Sequence, residues 1–160
     1  MAKKHQKTNA MRILDSKKIE YKMYYYEVGD NHIDGVSVAH KLNQDEKMVF
    51  KTLVAQGASR NFYVFVIPVA ENLDMKKAAK AAGEKNMEMI HVKDINKVTG
   101  YIRGGCSPVG MKKLYSTFVH ESGKDLEKII VSGGKIGFQI ELSPSDLQET
   151  INFKYADIIK

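Results

Sequence analysis

Two glycine-rich windows set the strongest limit on how this chain folds. Residues 98–113, VTGYIRGGCSPVGMKK, contain four glycines and Pro108 and end on two lysines. A regular helix does not accommodate so many glycines and an internal proline, so this segment is predicted to form loops. A second, shorter window, VSGGKIG, occupies residues 131–137. Seven of the chain's twelve glycines fall in these two windows, so glycine is concentrated rather than spread.

Two interpretations of these windows are open. Each could be a tight turn between strands. Alternatively, closely spaced glycines let a backbone approach a ligand and offer its N–H groups as fixed donors to an anion. A hydroxyl and a lysine accompany the glycines in both windows. Their combination favours an anion-binding site.

The positive charge of the chain is concentrated beside the first window. Residues 76–113 carry nine lysines or arginines against three acids, a surplus of +6 that equals the net charge of the whole chain. Such a surplus is either a solvated basic face or a surface for a phosphate backbone. Tyr101 is the one aromatic residue of this basic segment. Backbone contact is therefore expected rather than base stacking.

The remaining sequence is typical of an α/β, more specifically mixed α+β, protein. Helices are predicted at residues 8–17, 36–42, 75–82 and 93–98 and from Ser143 onward. Strands are predicted at residues 21–26, 48–56, 60–69, 87–90, 117–120, 128–132 and 137–142. Because the strands occur in runs, we predict a mixed, largely antiparallel, β-barrel-like sheet with short helices outside. The length indicates a single domain over residues 1–160.

Several kinds of site are disfavoured by the residues present. The lone Cys106 excludes an internal disulfide and a CxxC metal knuckle, and fits a reducing, cytoplasmic location. The five histidines form no HExxH motif, and no GxSxG elbow occurs, so neither a metal nor another cofactor is expected. The longest apolar run, residues 62–70, is too short to cross a membrane.

Four segments resemble, in order and spacing, the YbaK family, which comprises freestanding relatives of the editing domain inserted in bacterial prolyl-tRNA synthetases. They are VFKTLV (residues 49–54), LDMKKAAKAAG (residues 73–83) and the two glycine windows. The resemblance extends from about residue 11 to the C-terminus and is greatest to the freestanding Cys-tRNA(Pro) deacylases. It implies the same barrel-like fold and mischarged tRNA as partner. A role for prolyl-tRNA synthetase and the oligomeric state are left open.

Lys51 is the residue that the pattern and the resemblance both single out. Strand alternation places Val49, Lys51 and Leu53 on one face of a strand. A lysine among these apolar neighbours lies either at a sheet edge or partly buried with a partner. The resemblance implies that Lys51 is catalytic and holds phosphate or ester oxygens, and that Gly100 offers a backbone contact close to the reacting ester.

The resemblance also assigns roles to other residues of these motifs. It implies substrate binding by Tyr26, Thr52, Gly104, Gly105, Ser107, Pro108, Ser132, Gly133 and Gly134. It implies contact with tRNA by Arg103, Lys112, Lys113 and Lys135. Two positions depart from the family: the loop at residues 27–35 lacks a clear counterpart of a family phenylalanine, and Ile136 replaces an arginine.

The resemblance implies that the protein supplies no nucleophile. The thiol of the substrate cysteine attacks its own carbonyl and expels the tRNA ribose hydroxyl, from Cys-tRNA(Pro) and also from Cys-tRNA(Cys). Cys106 is accordingly expected to be a small apolar filler rather than a nucleophile. Two alternatives remain: a deacylase that uses water on another small residue, such as Ala-tRNA(Pro), and a non-catalytic tRNA-binding module. The second would need the basic segment but neither Lys51 nor the glycines.

Overall fold

The computed structural model describes residues 7–26, 35–102 and 105–160 of the chain. These residues form five α-helices, eight strands and two short 3-10 turns. The helices are α1 (Asn9–Ser16), α2 (Gly35–Lys41), α3 (Met75–Ala82), α4 (Ile95–Thr99) and α5 (Pro144–Ile151). The strands are β1 (Lys22–Tyr25), β2 (Phe50–Gly57), β3 (Phe62–Pro68), β4 (Met87–Met89), β5 (Ser116–His120), β6 (Ile129–Ser132), β7 (Phe138–Leu142) and β8 (Lys154–Ala156).

The strands form two sheets, so the predicted barrel-like sheet is wrong while the mixed α and β class is confirmed. One sheet has the order β1-β7-β6 and the other β4-β2-β3-β5-β8. Four neighbouring pairs are antiparallel, whereas β3–β5 and β5–β8 are parallel. The sheets meet at an isolated parallel bridge between Val49 and Ile130. A barrel would need continuous pairing around the molecule, but among the described strands each sheet keeps two edges.

Local sequence signals set the ends of the helices as predicted. Thr8, Asp74 and Ser143 each accept a hydrogen bond from the backbone N–H three residues further on, which satisfies a donor that the first helical turn leaves unpaired. Gly83 ends α3 in the left-handed conformation, with a φ of 73°. No helix in the described ranges has the length and apolar character required to cross a membrane.

The apolar residues of β2 divide between its two faces, as the alternation predicts. Phe50 and Val54 lie in the largest cluster, together with buried residues of α1, α5 and the three-stranded sheet. On the other face Leu53 packs with α3 residues, and Val49 joins Ile130 in a small cluster under α2. The junction between the sheets is therefore covered on one side by the main core and on the other by α2.

Candidate functional site at the junction of the sheets

The two glycine windows contact each other. A Cβ added to Gly105 would lie 2.8 Å from the backbone nitrogen of Ile136, which is closer than real Cβ atoms approach. A Cβ on Gly134 would lie 3.2 Å from the ring of Tyr101, whose hydroxyl donates to the carbonyl of Val109. The glycines therefore let the two loops approach one another closely.

The backbone donors of these glycines are largely used within the protein. The N–H groups of Gly100, Gly105 and Gly133 donate to the carbonyls of Asn96, Ile102 and Phe138. The N–H of Gly134 donates to Ser132 Oγ at 3.2 Å. The hypothesis that these donors are held ready for an anion is wrong for these four groups, because each already has an internal acceptor. Loop packing is the role that the geometry supports.

Lys51 lies close to the junction of the two sheets. In the three-stranded sheet Tyr24 is opposite Gln139, and Gln139 is opposite Ser132. The parallel bridge pairs Val49 with Ile130, and Lys51 and Ser132 each lie two residues beyond it, on the same face of their strands as the bridged residues. Two of the predicted site residues, Lys51 and Ser132, thus lie near the point where the sheets meet.

The environment of Lys51 combines the two alternatives. Its side chain is half-buried, and it lies in a part of β2 that is paired only with β3, because β4 pairs with residues 55–57. Burial lowers the pKa of its ammonium below the usual 10.5, and the Glu71 carboxylate nearby opposes that shift. A desolvated ammonium is a stronger electrostatic partner for an anionic or polarised oxygen than a fully hydrated one.

Gln139 and Gln44 belong to this site but were not singled out from the sequence. Gln139 is 6% exposed, and its Oε1 accepts a hydrogen bond from Gln44 Nε2 at 2.8 Å. Gln44 Oε1 is buried and has no partner among the described residues. Alternation in FQIEL predicts that Gln139 faces solvent with Glu141. The turn after α2 covers that face instead, which only the tertiary fold determines.

Thr52 lies next to Lys51 in sequence but on the opposite face of β2. Its Oγ1 is buried and lacks a hydrogen-bond partner in the described part of the chain. Unpaired buried hydroxyls are uncommon and call for an explanation, because removal from water costs free energy.

The other predicted substrate-binding residues lie around the two windows. Tyr26 directly follows β1, and its N–H donates to the carbonyl of Gly137 at 2.9 Å. Ser107 and Pro108 are buried, and Ser107 Oγ accepts from the N–H of Val109, so Ser107 stabilises its own loop. Arg103, Gly104 and the loop at residues 27–34 lie outside the described residues.

Gly100 and the predicted tRNA-contacting lysines lie on the exposed side of the windows. Gly100 ends α4 with a φ of 86°, and its Cβ position is 3.2 Å from Lys112 Cγ. The Lys112 ammonium donates to the carbonyl of Lys97 at 3.3 Å. Lys113 and Lys135 are exposed, and the Lys135 ammonium lies 5.7 Å from the centre of the Phe138 ring. The four assignments stay predictions.

Cys106 has the environment of a packing residue. It packs against the main core, and burial raises the pKa of its thiol to about 11, opposed by a hydrogen bond with Thr99. The nucleophile in cysteine chemistry is the thiolate, so a thiol with this pKa is unreactive near neutral pH. In the described ranges no three His, Cys, Asp or Glu residues are grouped to hold a metal ion.

Comparison with known sequences supports the family assignment over most of the chain. A family model described as the aminoacyl-tRNA editing domain matches residues 32–150. A protein from Enterococcus faecalis, named "Putative Cys-tRNA(Pro)/Cys-tRNA(Cys) deacylase EbsC", is 47% identical over 160 residues, which cover 99% of this chain and 98% of the relative.

Comparison with solved structures supports the fold. A structure described as "a putative trans-editing enzyme for prolyl tRNA synthetase" superposes with a TM-score of 0.80 at 18% identity, covering 97% of this chain and 99% of the other. The crystal structure of a hypothetical protein gives a TM-score of 0.84 at 21% identity, covering 94% and 98% of the two chains. At these identities the superpositions show a shared fold and nothing finer.

Proposed function

The chain belongs to the aminoacyl-tRNA editing domain family, and from this premise we propose that it is a deacylase that clears cysteine wrongly attached to tRNA(Pro). The E. faecalis relative carries a name for this activity, and it matches nearly the whole chain. That name also includes Cys-tRNA(Cys), which we propose as a second substrate. The protein acts on charged tRNA in the cytoplasm, as a single editing domain over residues 1–160.

The half-buried Lys51 is the observation that carries this proposal. It lies two residues from the bridge where the two sheets meet, and burial lowers the pKa of its ammonium. A cation in such a place stabilises negative charge that develops on the carbonyl or ribose oxygen of the reacting ester. Gln44 Oε1 adds a buried hydrogen-bonding group that folding leaves without a partner in the described residues, while the unpaired Thr52 Oγ1 lies on the other face of β2.

Substrate-assisted cleavage fits a site of this kind. The thiolate sulfur of the substrate cysteine bonds to its own carbonyl carbon, and the ester C–O bond to the ribose breaks. The products are a cyclic cysteine thioester and a free tRNA hydroxyl, which receives the proton lost by the thiol. A well-oriented intramolecular nucleophile reaches effective molarities of roughly 10⁵–10⁸ M, so the protein needs only to orient the ester and stabilise charge. The raised pKa of the Cys106 thiol agrees with a nucleophile that belongs to the substrate.

A panel of charged tRNAs tests the proposal. Purified protein is mixed with cysteinyl-, seryl-, alanyl- and prolyl-tRNA(Pro), and the remaining ester is followed over time. We expect rapid loss of cysteine only, because a thiol with a reference pKa of about 8.5 ionises near neutral pH and the serine hydroxyl does not. Equal rates for cysteine and serine would indicate activated water. Faster loss of alanine would show that the substrate is Ala-tRNA(Pro) rather than Cys-tRNA(Pro). Binding of tRNA without any deacylation would show that the protein is a tRNA-binding module.

A contribution from prolyl-tRNA synthetase is the finer part of the proposal. We propose that the protein acts in trans, on Cys-tRNA(Pro) that the synthetase has released or is releasing. Adding the synthetase to the same assay should then raise the rate at limiting enzyme concentration. An unchanged rate would show that the deacylase works without this partner.

A further inference from the structure

A cavity lies beside the first glycine window, at the end of β2 and β4. Its volume is about 440 Å³, and Lys51 does not line it. Apolar and aromatic side chains share its lining with charged ones, and we refer to it as the lysine groove. Its lining residues are Gln56, Phe62, Glu88, Met89, Ile90, His91, Asp94, Lys97, Val98, Lys112, Lys113 and Tyr115.

Two aromatic rings in the lysine groove are held in place by the fold. Phe62 and Tyr115 are in edge-to-face contact, with ring centres 6.0 Å apart and planes at 77°. The Tyr115 hydroxyl donates to the carbonyl of Val98 at 2.7 Å, which fixes the ring. Both residues are half-buried, so part of each remains available to the cavity. The fold brings Phe62 and Tyr115 to the basic segment from outside residues 76–113, which the sequence of that segment alone does not show.

The charges around the lysine groove favour an anion on one side of it. Lys97, Lys112 and Lys113 are exposed, while Glu88 and Asp94 contribute two carboxylates. The ammonium of Lys112 donates to the backbone carbonyl of Lys97, which holds this cation at the end of α4. A phosphate would be attracted to the lysines and kept away from the acids.

The lysine groove adjoins the predicted catalytic loop. The side chain of Lys112 passes 3.2 Å from the Cβ position of Gly100, the glycine expected next to the reacting ester. The N–H of Lys112 donates to the carbonyl of Thr99 at 3.0 Å, which ties the groove to the end of α4. A nucleic-acid strand that reaches Gly100 therefore passes close to this groove.

We propose that the lysine groove binds a nucleotide of the single-stranded 3′ end of tRNA, with its base against Phe62 and Tyr115 and its phosphate beside the three lysines. A single strand fits better than a duplex, because only unpaired bases expose a face for an aromatic ring. The inference rests on the proposed function, since the ester to be cleaved is at that 3′ end. A protein partner is the competing occupant.

The test compares two RNAs and matched variants. Dissociation constants are measured for uncharged tRNA(Pro) and for the same tRNA lacking its last three nucleotides. The groove variants are Tyr115→Leu and the double variant Lys97→Gln/Lys113→Gln. Tyr155→Leu and Lys128→Gln are the controls, because Tyr155 is likewise half-buried in an edge-to-face pair, with Phe153, and Lys128 is likewise exposed but lines another cavity.

We expect each groove variant to bind intact tRNA about tenfold more weakly, within the range for losing a base stack or phosphate contacts. On the trimmed tRNA the same variants should differ from the parent less than about twofold, and the controls should match the parent on both RNAs. Equal losses on both RNAs would place the contact elsewhere on tRNA and overturn the proposal. Unchanged affinity for both would assign the groove to a protein partner. Because this assay uses uncharged tRNA, it can succeed even if the deacylation panel fails, and the reverse also holds.

Discussion

At the scale of single residues, Lys51 combines a functional position with an energetic cost. Burial lowers the pKa of its ammonium, which means that the folded protein disfavours the charged form. A charged group that is placed to serve a ligand often makes the free protein less stable to unfolding than a neutral side chain at the same position would. Activity and stability should therefore respond in opposite directions when this charge is removed.

Lys51→Met tests that statement. The substitution keeps an unbranched side chain of similar length and removes the charge. We expect deacylation to fall by about 100-fold or more, the usual effect of losing one electrostatic contact to a transition state. The melting temperature should stay the same or rise, and Lys154→Met, at an exposed position of β8, is the control. Retained activity would mean that Lys51 only shapes the sheet.

Cys106 gives a second test at this scale, through its reactivity. A rise of the thiol pKa from 9.0 to about 11 lowers the thiolate fraction at pH 8 about 100-fold. An alkylating reagent at pH 8 should thus modify the folded protein about 100 times more slowly than the denatured protein. Cys106→Ala should retain deacylation. Rapid alkylation together with loss of activity in Cys106→Ala would show that the nucleophile is the Cys106 thiol rather than the thiol of the substrate.

The pKa of Cys106 also predicts how stability depends on pH. Because the folded-state pKa is raised, the unfolded chain loses this proton first as pH increases. The stabilisation is complete below about pH 9 and is lost as pH rises toward about 11. Denaturant titrations at pH 7.5 and 10.5 should show a smaller loss for Cys106→Ala than for the parent. An identical loss in both proteins would show that the thiol is not buried in the folded state.

Site residues could be predicted from the sequence only where the type of residue was already unusual. Lys51 stood out because a charge interrupts an apolar strand, and the structure places it half-buried in a part of the strand that is paired on one side only. Gln139 did not stand out, because a polar residue on the outer face of an amphipathic strand is common. Its burial depends on the turn after α2, which is more than 90 residues away in sequence.

At the scale of loops and strands, the glycine windows hold each other in place. Gly134 has a φ of 98° and faces the Tyr101 ring, so a side chain there meets both backbone strain and a steric clash. Gly83, which ends α3, has a φ of 73° but nothing within 4 Å of its Cβ position. Both positions have a positive φ that strains any residue other than glycine, but only Gly134 has a close neighbour at its Cβ position, the Tyr101 ring.

Replacing each glycine by alanine separates these two effects. Gly83→Ala should cost about 1–2 kcal/mol in free energy of unfolding, which is the usual cost of a left-handed non-glycine residue. Gly134→Ala should cost about 1–3 kcal/mol more, since the Tyr101 ring must also move. Denaturant titrations of the two variants give the comparison. Equal costs would mean that the windows do not support each other.

The ends of the elements were predictable, whereas their pairing was not. Thr8, Asp74 and Ser143 act through neighbours three residues away, so their roles are visible in the sequence. The parallel pairing of β5 with β3 and β8 joins distant segments and leaves no local signal. The three-residue β8 was missed for that reason, and the barrel was predicted because alternation shows that strands exist but does not show which ones are neighbours.

At the scale of the whole molecule, the surplus of positive charge predicts a salt-dependent affinity for tRNA. If four to six of the cations in residues 76–113 neutralise phosphates, the logarithm of the binding constant should fall with that of salt concentration at a slope of about −4 to −5. Lys76→Gln/Lys80→Gln should reduce the slope more than Lys17→Gln/Lys47→Gln, a pair that is equally exposed but lies outside the segment. Equal slopes would mean that the basic segment does not face tRNA.

The pairing of β1 with β7 has a consequence for how the protein is made. Tyr25 lies opposite Phe138, 113 residues further along the chain, and α1 rests on Gly133 through the Thr8 hydroxyl. At 5–20 residues per second, a ribosome needs about 6 to 23 s to add the partner strand after β1 has been synthesised. During that interval the tyrosine-rich strand and the apolar side of α1 have no native surface to cover them. Slower elongation between these two strands therefore lengthens the period in which the nascent chain is open to aggregation.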